Sequence, residues 1–175
     1  MQKGEINRLM EGVQSQDEVA FGNLFNECKR GVFSFLYTYT KDYHAAEDLV
    51  QETFIKVKLN AQSYKLGTNA SAWILQIAKN TALDYLKRQK ATVNIDDLPI
   101  MESGGDLDEK LALHKVLNES LDDGERQIVL LHLIEGYKHR EIAKILDMPV
   151  GTVLWKYNAA LKRLKKVLSE AENEN

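Results

Sequence analysis

The sequence has 175 residues, 44% of them hydrophobic and 28% charged, which excludes a disordered chain and leaves room for one ordinary domain or two small ones. Its 2 prolines and 10 glycines are too few for a many-stranded sandwich, and a single cysteine excludes an intrachain disulfide or a zinc site built of thiolates. The net charge of -3 would ordinarily argue against binding of nucleic acid. The charge is uneven along the chain, however, with a net charge of +2 over residues 1–90, -8 over 91–125, +5 over 126–170 and -2 over the last five.

The N-terminal residues, MQKGEINRLM, carry charges without an apolar run after them, so they lack the pattern of a secretory signal. The chain also has no apolar stretch of about 18 residues that could cross a membrane. With no disulfide possible, we expect a cytoplasmic protein that is neither exported nor membrane-spanning.

Two amphipathic helices are expected first. Apolar residues recur at three- and four-residue steps from Phe21 to Tyr39, with Asp17 placed to cap the helix start. The same period resumes after Asp42 with Ala46, Leu49, Val50, Phe54 and Val57. Cys28 falls on the core face of the first helix, and with no histidine nearby we interpret it as a buried hydrophobic residue rather than a nucleophile.

A polar stretch, LNAQSYKLGTNAS, separates these helices from a third, expected over residues 72–90. The apolar side of that third helix is formed by Trp73, Ile74, Ile77, Ala78, Thr81 and Tyr85. Its end is basic, with Lys87, Arg88 and Lys90. Cations suit a helix C-terminus whatever the function, so this cluster alone does not establish DNA contact.

Residues 91–106 have the composition of a flexible acidic linker, with Pro99, Gly104, Gly105 and a run of acids. This predicts one domain over residues 1–90 and another over 107–170. The alternative is a long surface loop inside a single domain, although structureless loops of this length are uncommon in compact domains.

The second domain is expected to begin with a helix that carries Leu107, Leu111, Val116, Leu117 and Leu121. Asp122 and Glu125 form a capping box that opens another helix, which carries Ile128, Val129, Leu133 and Ile134 and stops at Gly136. A short helix over 138–146, a break at 147–149 and a long helix from Val150 follow. The expected fold is therefore all-α, with two small helical domains joined by an acidic linker, the second a helix-turn-helix.

The helix-turn-helix lies within HREIAKILDMPVGTVLWKYNAALKRL. In this arrangement Ile142, Ile145 and Leu146 would pack against Val153, Tyr157 and Leu164, with small Ala143 at the crossing. Such a unit lays its second helix across a DNA major groove, with flanking cations on phosphates. A plain helical hairpin explains the apolar spacing equally well, but it does not explain the Pro-x-Gly-Thr start, where first-turn N–H groups can donate hydrogen bonds to a phosphate.

The segment EGYKHREIAKILDMPVGTVLWKYNAALKRLKKVL resembles region four of bacterial sigma factors, and AAEDLVQETFIKV with AWILQIAKNTALDYLKR resembles region two. Both matches come in the family's order, and the short linker between them resembles the extracytoplasmic-function (ECF) class. The resemblance implies a promoter-specificity subunit of bacterial RNA polymerase with no catalytic chemistry, cofactor or metal. Its implied partners are core polymerase, promoter DNA and an anti-sigma factor.

The resemblance also implies site residues in region two. The residues that dock on the clamp helices of core polymerase would be Asp48, Leu49, Gln51, Glu52 and Ile55. Helical spacing independently puts all of these except Leu49 on the face opposite Ala46, Val50 and Val57. The residues that capture a flipped minus-ten base and hold the strand would be Asn60, Gln62, Ser63, Tyr64, Lys65, Asn69, Lys79, Asn80, Asp84, Lys87 and Arg88. Trp73 matches as well, but we interpret it first as core.

In region four the implied minus-thirty-five contacts are Gly151, Thr152, Leu154, Trp155, Lys156, Asn158, Lys162 and Arg163. The family usually has polar or basic residues where this chain has Leu154 and Trp155, and often a basic residue where it has Ala159. These departures remove donors where base edges are read, so we expect weak discrimination of bases.

Three other functions deserve comparison. A helix-turn-helix regulator that works without core docking would explain residues 107–168 but not the Asp-Leu-Val-Gln-Glu helix. A helical adaptor would explain the amphipathic faces but not the recognition helix. A metalloenzyme could use His132, Glu135 and His139, but Gly136 interrupts the helix that would align them, and no Gly-rich phosphate loop or catalytic triad pattern appears.

Overall fold

The computed structural model of the chain describes residues 3–92, Leu117 and residues 120–173. Within these ranges the regular structure is entirely helical, and the chain divides into two compact units, with the division at Glu102 and Ser103. The all-α class and the two helical domains are thus confirmed. Of the linker expected at 91–106, the first two residues extend a helix and the others lie outside the described residues. So do Leu107, Leu111 and Val116 of the next expected helix.

The described part of the first unit, residues 3–92, contains four α-helices: α1 (Lys3–Gln14), α2 (Glu18–Thr40), α3 (Tyr43–Leu59) and α4 (Ala70–Thr92), with a short 3-10 helix at Ala61–Ser63 after α3. Asp17 caps α2 as predicted, and Asp42 caps α3, for which only the start of the helix was predicted. Asp17 accepts hydrogen bonds from the backbone N–H groups of Val19 and Ala20, and Asp42 accepts one from Ala45. Local hydrogen bonds therefore fix the starts of α2 and α3, as the sequence predicts.

The core of the first unit is built from the apolar faces of all four helices. Cys28 is buried in it, as expected, and the rings of Phe25 and Phe54 meet edge to face, with 4.9 Å between centroids. On α4 the buried side is shifted from the expected one, because Leu75 and Ala82 are buried, whereas Trp73, Ile77 and Tyr85 are only partly covered. The buried face also includes three residues of α1, namely Ile6, Met10 and Val13.

Helix α1, which the sequence analysis did not predict, crosses α2 at very short range. A Cβ atom added at Gly12 would lie 2.5 Å from the Cβ of Ala20. Real Cβ atoms do not approach so closely, so glycine at this position permits the crossing.

The second unit contains α5 (Asp123–Val129), a π-helical turn (Leu130–Ile134), α6 (His139–Leu146) and α7 (Val150–Asn173). The predicted capping box is present. The backbone N–H of Glu125 donates to Asp122 Oδ1 at 2.7 Å, and the N–H of Asp122 donates to Glu125 Oε2 at 3.2 Å. Gly136 (φ +72°) and Asp147 (φ +57°) adopt left-handed conformations at the two breaks, which confirms the helix-turn-helix of α6 and α7.

Leu133 and Ile134 were expected to be buried, but both are exposed to solvent, and Leu130 and Leu131 are buried instead. The cause is the π-helical turn, in which the N–H of Glu135 bonds the carbonyl of Leu130 at 3.1 Å. The wider turn holds one more residue than an α-turn, so the side chains after it are rotated from the positions that a 3.6-residue period predicts.

The helix-turn-helix buries Val153 and the α6 residues as expected, but Tyr157 and Leu164 pack against a different cluster from the α6 residues that were expected. Ile142, Ala143, Ile145 and Leu146 of α6 and Val153 of α7 are all buried. Tyr157 and Leu164 pack against a buried cluster formed by Leu117, Leu121, Val129 and Ala160. None of the helices in the described ranges is long and apolar enough to cross a membrane.

Candidate nucleic-acid interface

Helix α3 presents an exposed stripe made of Asp48, Gln51, Ile55 and Leu59. Ile55 is 59% exposed and Leu59, one turn further on, is 77% exposed. Leu59 was not among the expected docking residues, although its four-residue spacing from Ile55 was visible in the sequence. Large apolar side chains left in solvent at helical spacing are typical of a surface that a partner covers.

Leu49 does not belong to this stripe. Its side chain is 2% exposed and packs in the core, so the expectation that it contacts polymerase directly was wrong. The motif places it one residue from Asp48, and a step of one residue turns a helical side chain by about 100° around the axis, away from the stripe.

Glu52 lies beside the stripe and joins α3 to α4. Its carboxylate is 2.8 Å from Lys56 Nζ and 3.4 Å from Arg88 Nη2, and Lys56 also donates to Thr81 Oγ1 at 3.1 Å. The hydrogen bond from Lys56 and the nearby charges of Lys56 and Arg88 lower the pKa of Glu52 despite its partial burial. A residue expected to dock polymerase is thus paired with Arg88, which was expected to contact DNA.

The loop between α3 and α4 uses most of its polar side chains to build itself. Asn60 Nδ2 donates to the carbonyl of Lys56 at 2.8 Å, and Ser63 Oγ donates to the carbonyl of Asn60 at 2.7 Å. Asn69 Oδ1 caps α4 by accepting from the backbone N–H of Ala72 at 3.1 Å. These three side chains therefore shape the loop, and their availability to a base is smaller than the sequence analysis assumed.

Tyr64 is not an open stacking platform, contrary to expectation. Its side chain is buried, its ring centroid lies 5.3 Å from that of Trp73, and its hydroxyl is 3.5 Å from Asn7 Oδ1. The exposed tip of the loop consists instead of Lys65, Leu66 and Gly67, where Gly67 has a φ of +78°.

Helix α1 supports both ends of this loop through two side-chain amides. Gln14 Nε2 donates to the carbonyls of Ala61 at 2.8 Å and Tyr64 at 2.7 Å. Asn7 Nδ2 donates to the carbonyl of Thr68 at 2.8 Å, and Asn7 Oδ1 accepts from the N–H of Ala70 at 3.0 Å. In return Gln62 Nε2 donates to the carbonyl of Gln14 at 2.6 Å. Sequence analysis missed both amides, because their partners are 47 to 63 residues away.

The expected DNA residues on α4 lie on its solvent side. Asn80, Asp84, Lys87 and Arg88 are exposed, and Lys79 is half-buried. Their spacing puts Asn80, Asp84, Lys87 and Arg88 on one face of the helix.

On α7 the expected contacts divide into two groups. Gly151, Leu154, Asn158 and Lys162 are exposed, Trp155 is 68% exposed, and Thr152 is half-buried. Lys156 and Arg163, in contrast, are engaged within the protein. Lys156 Nζ lies 3.1 Å from Asp122 Oδ2, and Arg163 Nη1 lies 2.6 Å from Glu125 Oε2.

Lys156 and Arg163 thus have partners within the protein, and their role as phosphate cations stays a prediction. Burial would raise the pKa of Asp122, but hydrogen bonds from the backbone of Glu125 and from Lys156 lower it instead. The carboxylate is therefore held in the ionised form that pairs with Lys156. Lys156 and Arg163 fasten the recognition helix to the capping box, although the side chain of Arg163 is still 54% exposed, and Lys162 is exposed as well.

Two histidines meet at the base of the helix-turn-helix. The ring centroids of His132 and His139 are 4.2 Å apart, and Tyr157 packs edge-on against them at 4.8 and 4.9 Å. His132 Nδ1 is 2.8 Å from the carbonyl of Tyr137, which can only accept, so Nδ1 carries the hydrogen. The fold thus brings together two of the three residues weighed as metal ligands, yet among residues 3–92, 117 and 120–173 no group of three or more such ligands is placed to hold a metal.

Comparison with protein families gives two matches. The family described as Sigma-70 region 2 matches residues 24–92, and the family described as Sigma-70, region 4 matches residues 111–164. Together these segments contain the α3 stripe, the loop, α4 and the site residues of α7 discussed above.

Relatives that align with most of the chain are named ECF RNA polymerase sigma factors. The ECF RNA polymerase sigma factor SigW of Bacillus subtilis is 25% identical over 182 residues, which cover 94% of this chain and 97% of that protein. The ECF RNA polymerase sigma-E factor of Escherichia coli K12 is 33% identical over 162 residues, which cover 83% of this chain and 84% of that protein.

Two solved structures share the fold. CnrH in complex with the cytosolic domain of CnrY aligns with a TM-score of 0.71 at 22% identity, over 95% of this chain and 98% of that one. The sigma factor RpoE in complex with the anti-sigma factor NepR, from Bartonella quintana, aligns with a TM-score of 0.68 at 24% identity, over 85% of this chain and 96% of that one.

Proposed function

This chain belongs to the ECF class of bacterial sigma factors, and we propose that it directs promoter recognition by core RNA polymerase in the cytoplasm. In this role the first unit docks on the polymerase and melts the minus-ten element, and the second unit contacts the minus-thirty-five element. The protein performs no catalysis of its own. An anti-sigma factor is a further proposed partner, because RpoE of Bartonella quintana was solved in complex with one.

The observation that carries the proposal is the exposed stripe of α3. A helix-turn-helix regulator has no need for a second helix that leaves Ile55 and Leu59 in solvent next to Asp48 and Gln51. A protein partner that covers this stripe would bury apolar area and pair with the carboxylate. Among the alternatives that we considered, only docking on a large partner explains this surface and the helix-turn-helix together.

For the minus-ten element, the support is a shaped loop, followed in the chain by a helix with an exposed polar and basic face, α4. The tip residues Lys65 and Leu66 are exposed, and Asn80, Lys87 and Arg88 follow on the helix behind. Flipping a base out of the duplex costs a few kcal/mol, and a loop that is already ordered loses less entropy when it repays that cost. We assign base capture to the loop tip and backbone contacts to Lys87 and Arg88.

For the minus-thirty-five element, the support is the exposed start of α7. Gly151, Thr152, Leu154, Trp155 and Asn158 lie where the N-terminal turns of a recognition helix enter a groove. Lys162 supplies a phosphate contact. The pI of about 5.8 means that the free protein has little general affinity for DNA, since non-specific binding grows with the number of phosphates neutralised.

The test is transcription from purified components. The protein is mixed with bacterial core polymerase and genomic DNA of the source organism, and the 5′ ends of the transcripts are mapped. We expect discrete start sites that share two upstream sequence elements and disappear when the protein is left out. Absence of start sites, together with tight sequence-specific binding of DNA by the free protein, would show a helix-turn-helix regulator instead.

A further inference from the structure

The structure assigns a positioning role to Asn7 and Gln14. We propose that these two amides of α1 hold the loop over residues 60–69 in the shape that captures the minus-ten base. The inference rests on the proposed function, since it names residues that make the same site work. In this role α1 is the fixed support on which the base-reading loop is built.

The side-chain amides of α1 bond to backbone groups of the loop. Loop carbonyls and N–H groups that have no helical partner need another one when they are partly buried. Gln14 donates to the carbonyl of Tyr64 and is a second donor to the carbonyl of Ala61, which also accepts the N–H of Tyr64. Asn7 donates to the carbonyl of Thr68 and accepts from the N–H of Ala70. One side chain therefore holds the start of the loop, and the other holds its end.

The geometry of α1 matches the separation of the two ends of the loop. Asn7 and Gln14 are seven residues apart, two turns of helix, so both lie on the same face with about 10 Å between them along the axis. That face is next to the buried one formed by Ile6, Met10 and Val13, which anchors α1 in the core. The spacing of the two amides thus sets a fixed distance between the two ends of the loop.

The tip of the loop is exposed to solvent. Between the segments held by Gln14 and Asn7, the chain exposes Lys65, Leu66 and Gly67. The left-handed conformation of Gly67 turns the chain at this tip. A short turn with both ends held has few alternative shapes, so its exposed groups meet a flipped base without first being ordered.

The experiment uses the full chain bound to core polymerase. Gln14→Met and Asn7→Leu keep the size of each side chain and remove its hydrogen bonds, and Glu11→Met is the control, because Glu11 is exposed on the same helix. Fluorescence anisotropy measures the affinity for a single-stranded minus-ten oligonucleotide and for the same strand with the captured base replaced. The ratio of the two affinities is the base discrimination.

We expect Gln14→Met and Asn7→Leu each to reduce affinity for the preferred strand about tenfold and to bring the discrimination ratio close to one. Core binding, measured at a temperature below the melting transition, is expected to stay within twofold of the parent. Asn7→Asp retains the oxygen that accepts from Ala70, and we expect it to restore part of the discrimination. The Glu11→Met variant should match the parent in every measurement.

A second readout does not depend on polymerase. In the free protein, hydrogen exchange at the amide of Ala70 should become at least tenfold faster in Asn7→Leu and remain unchanged in Glu11→Met. Unchanged exchange and unchanged discrimination in both variants would overturn the positioning role. So would a parallel loss of core binding and oligonucleotide binding, which indicates a general structural effect. If the parent holoenzyme itself shows no base preference on any minus-ten strand, the proposed function fails, independently of α1.

Discussion

Arg163 Nη1 lies 2.6 Å from Oε2 of Glu125, a carboxylate whose side chain is only 2% exposed. The same Oε2 accepts the backbone N–H of Asp122, and Asp122 in turn pairs with Lys156. The capping box that starts α5 is therefore also the anchor for the middle of α7. Two cations of the recognition helix are used to hold that helix in place.

This arrangement predicts that Arg163→Gln destabilises the second unit. The buried Glu125 charge would lose its ionic partner, and because Arg163 is about half exposed, we expect a loss of about 1–2 kcal/mol in the free energy of unfolding. Urea unfolding followed by far-ultraviolet circular dichroism measures it. The matched control is Lys162→Gln on the same helix, which should alter stability by less than about 0.5 kcal/mol and weaken promoter binding. Equal stability losses in the two variants would contradict the anchoring role.

The α3 stripe predicts that docking and folding can be separated. Ile55→Lys places a charge in the proposed interface, and since burial of an isoleucine contributes about 1.5–3 kcal/mol, core binding should weaken tenfold or more. The melting temperature should hardly change, because Ile55 is in solvent. Leu49→Ala is the counterpart, with an expected cost of about 2–5 kcal/mol in stability. If Ile55→Lys binds core polymerase like the parent, the stripe is not the docking surface.

Charge reversal at Asp48 is expected to act like Ile55→Lys, with loss of core binding and an intact helical spectrum. Glu52 is a poorer choice for this test than the motif suggests. It pairs with Lys56 and Arg88, so its reversal would disturb the contact between α3 and α4 as well as the exposed face.

The histidine pair predicts a loss of stability in acid. Burial first, and the neighbouring His132 second, lower the pKa of His139 below its ordinary value of 6.5. The folded state therefore prefers the neutral ring. Stability of the second unit should be complete above about pH 6.5 and should fall as the pH drops below that value toward the lower pKa of the folded state. Urea unfolding between pH 5 and 8 measures this, where we take about pH 5 as the lower limit of histidine titration.

The control for the acid effect is His139→Gln, which cannot be protonated in this range. We expect its stability to vary less with pH between about 5 and 8 than that of the parent. An identical pH profile in the two proteins would mean that other groups cause the acid sensitivity.

The close crossing of α1 and α2 predicts opposite effects at two glycines. Gly12→Ala would press a methyl group onto Ala20, and overpacking of this kind typically costs about 1–3 kcal/mol. Gly22→Ala, in the interior of α2 with nothing within 4 Å of the added carbon, should stabilise by about 0.5–1 kcal/mol, because alanine loses less backbone entropy. Thermal unfolding compares the two variants, and a stabilised Gly12→Ala would show that α1 can move away from α2 at little cost.

The exposed pair on the recognition helix predicts weak reading of the upstream element. Leu154 can contact thymine methyls, and Trp155 has one donor, so neither forms the bidentate contacts that contribute about 1–3 kcal/mol of discrimination each. Mutations of the upstream element should therefore reduce transcription only modestly. In the double variant Leu154→Lys and Trp155→Ser we expect a changed order of preference over a panel of upstream sequences. An unchanged preference and activity would exclude these two residues from DNA reading.

The parts of the fold that depend on neighbours in the chain were predictable. Asp17, Asp42 and Asp122 cap helices within three residues of themselves, and the apolar period of α2 and α3 shows which side is buried. The prediction that Leu133 and Ile134 are buried was wrong, because the π-helical turn has one additional residue, which changes the direction of the side chains that follow.

The parts of the site that depend on distant partners were not predictable. Lys156 and Arg163 were predicted only as phosphate contacts, because the sequence does not show that they pair with carboxylates 34 and 38 residues away. Nothing in the sequence around Asn7 and Gln14 indicates the hydrogen bonds that their side chains form with the loop. Tyr64 looks like a free ring in a polar stretch, and only packing against Trp73 shows that it is buried.

The burial of Cys28 has a practical consequence for spectroscopy. It is the chain's single cysteine, and its side chain is covered in the core, where a thiol is chemically inert toward labelling reagents. A second cysteine introduced at Lys65 would be solvent-exposed and would react selectively with a maleimide dye, without replacement of the native thiol. A fluorophore at that position would report in real time when the tip of the loop passes from water to a nucleic-acid environment.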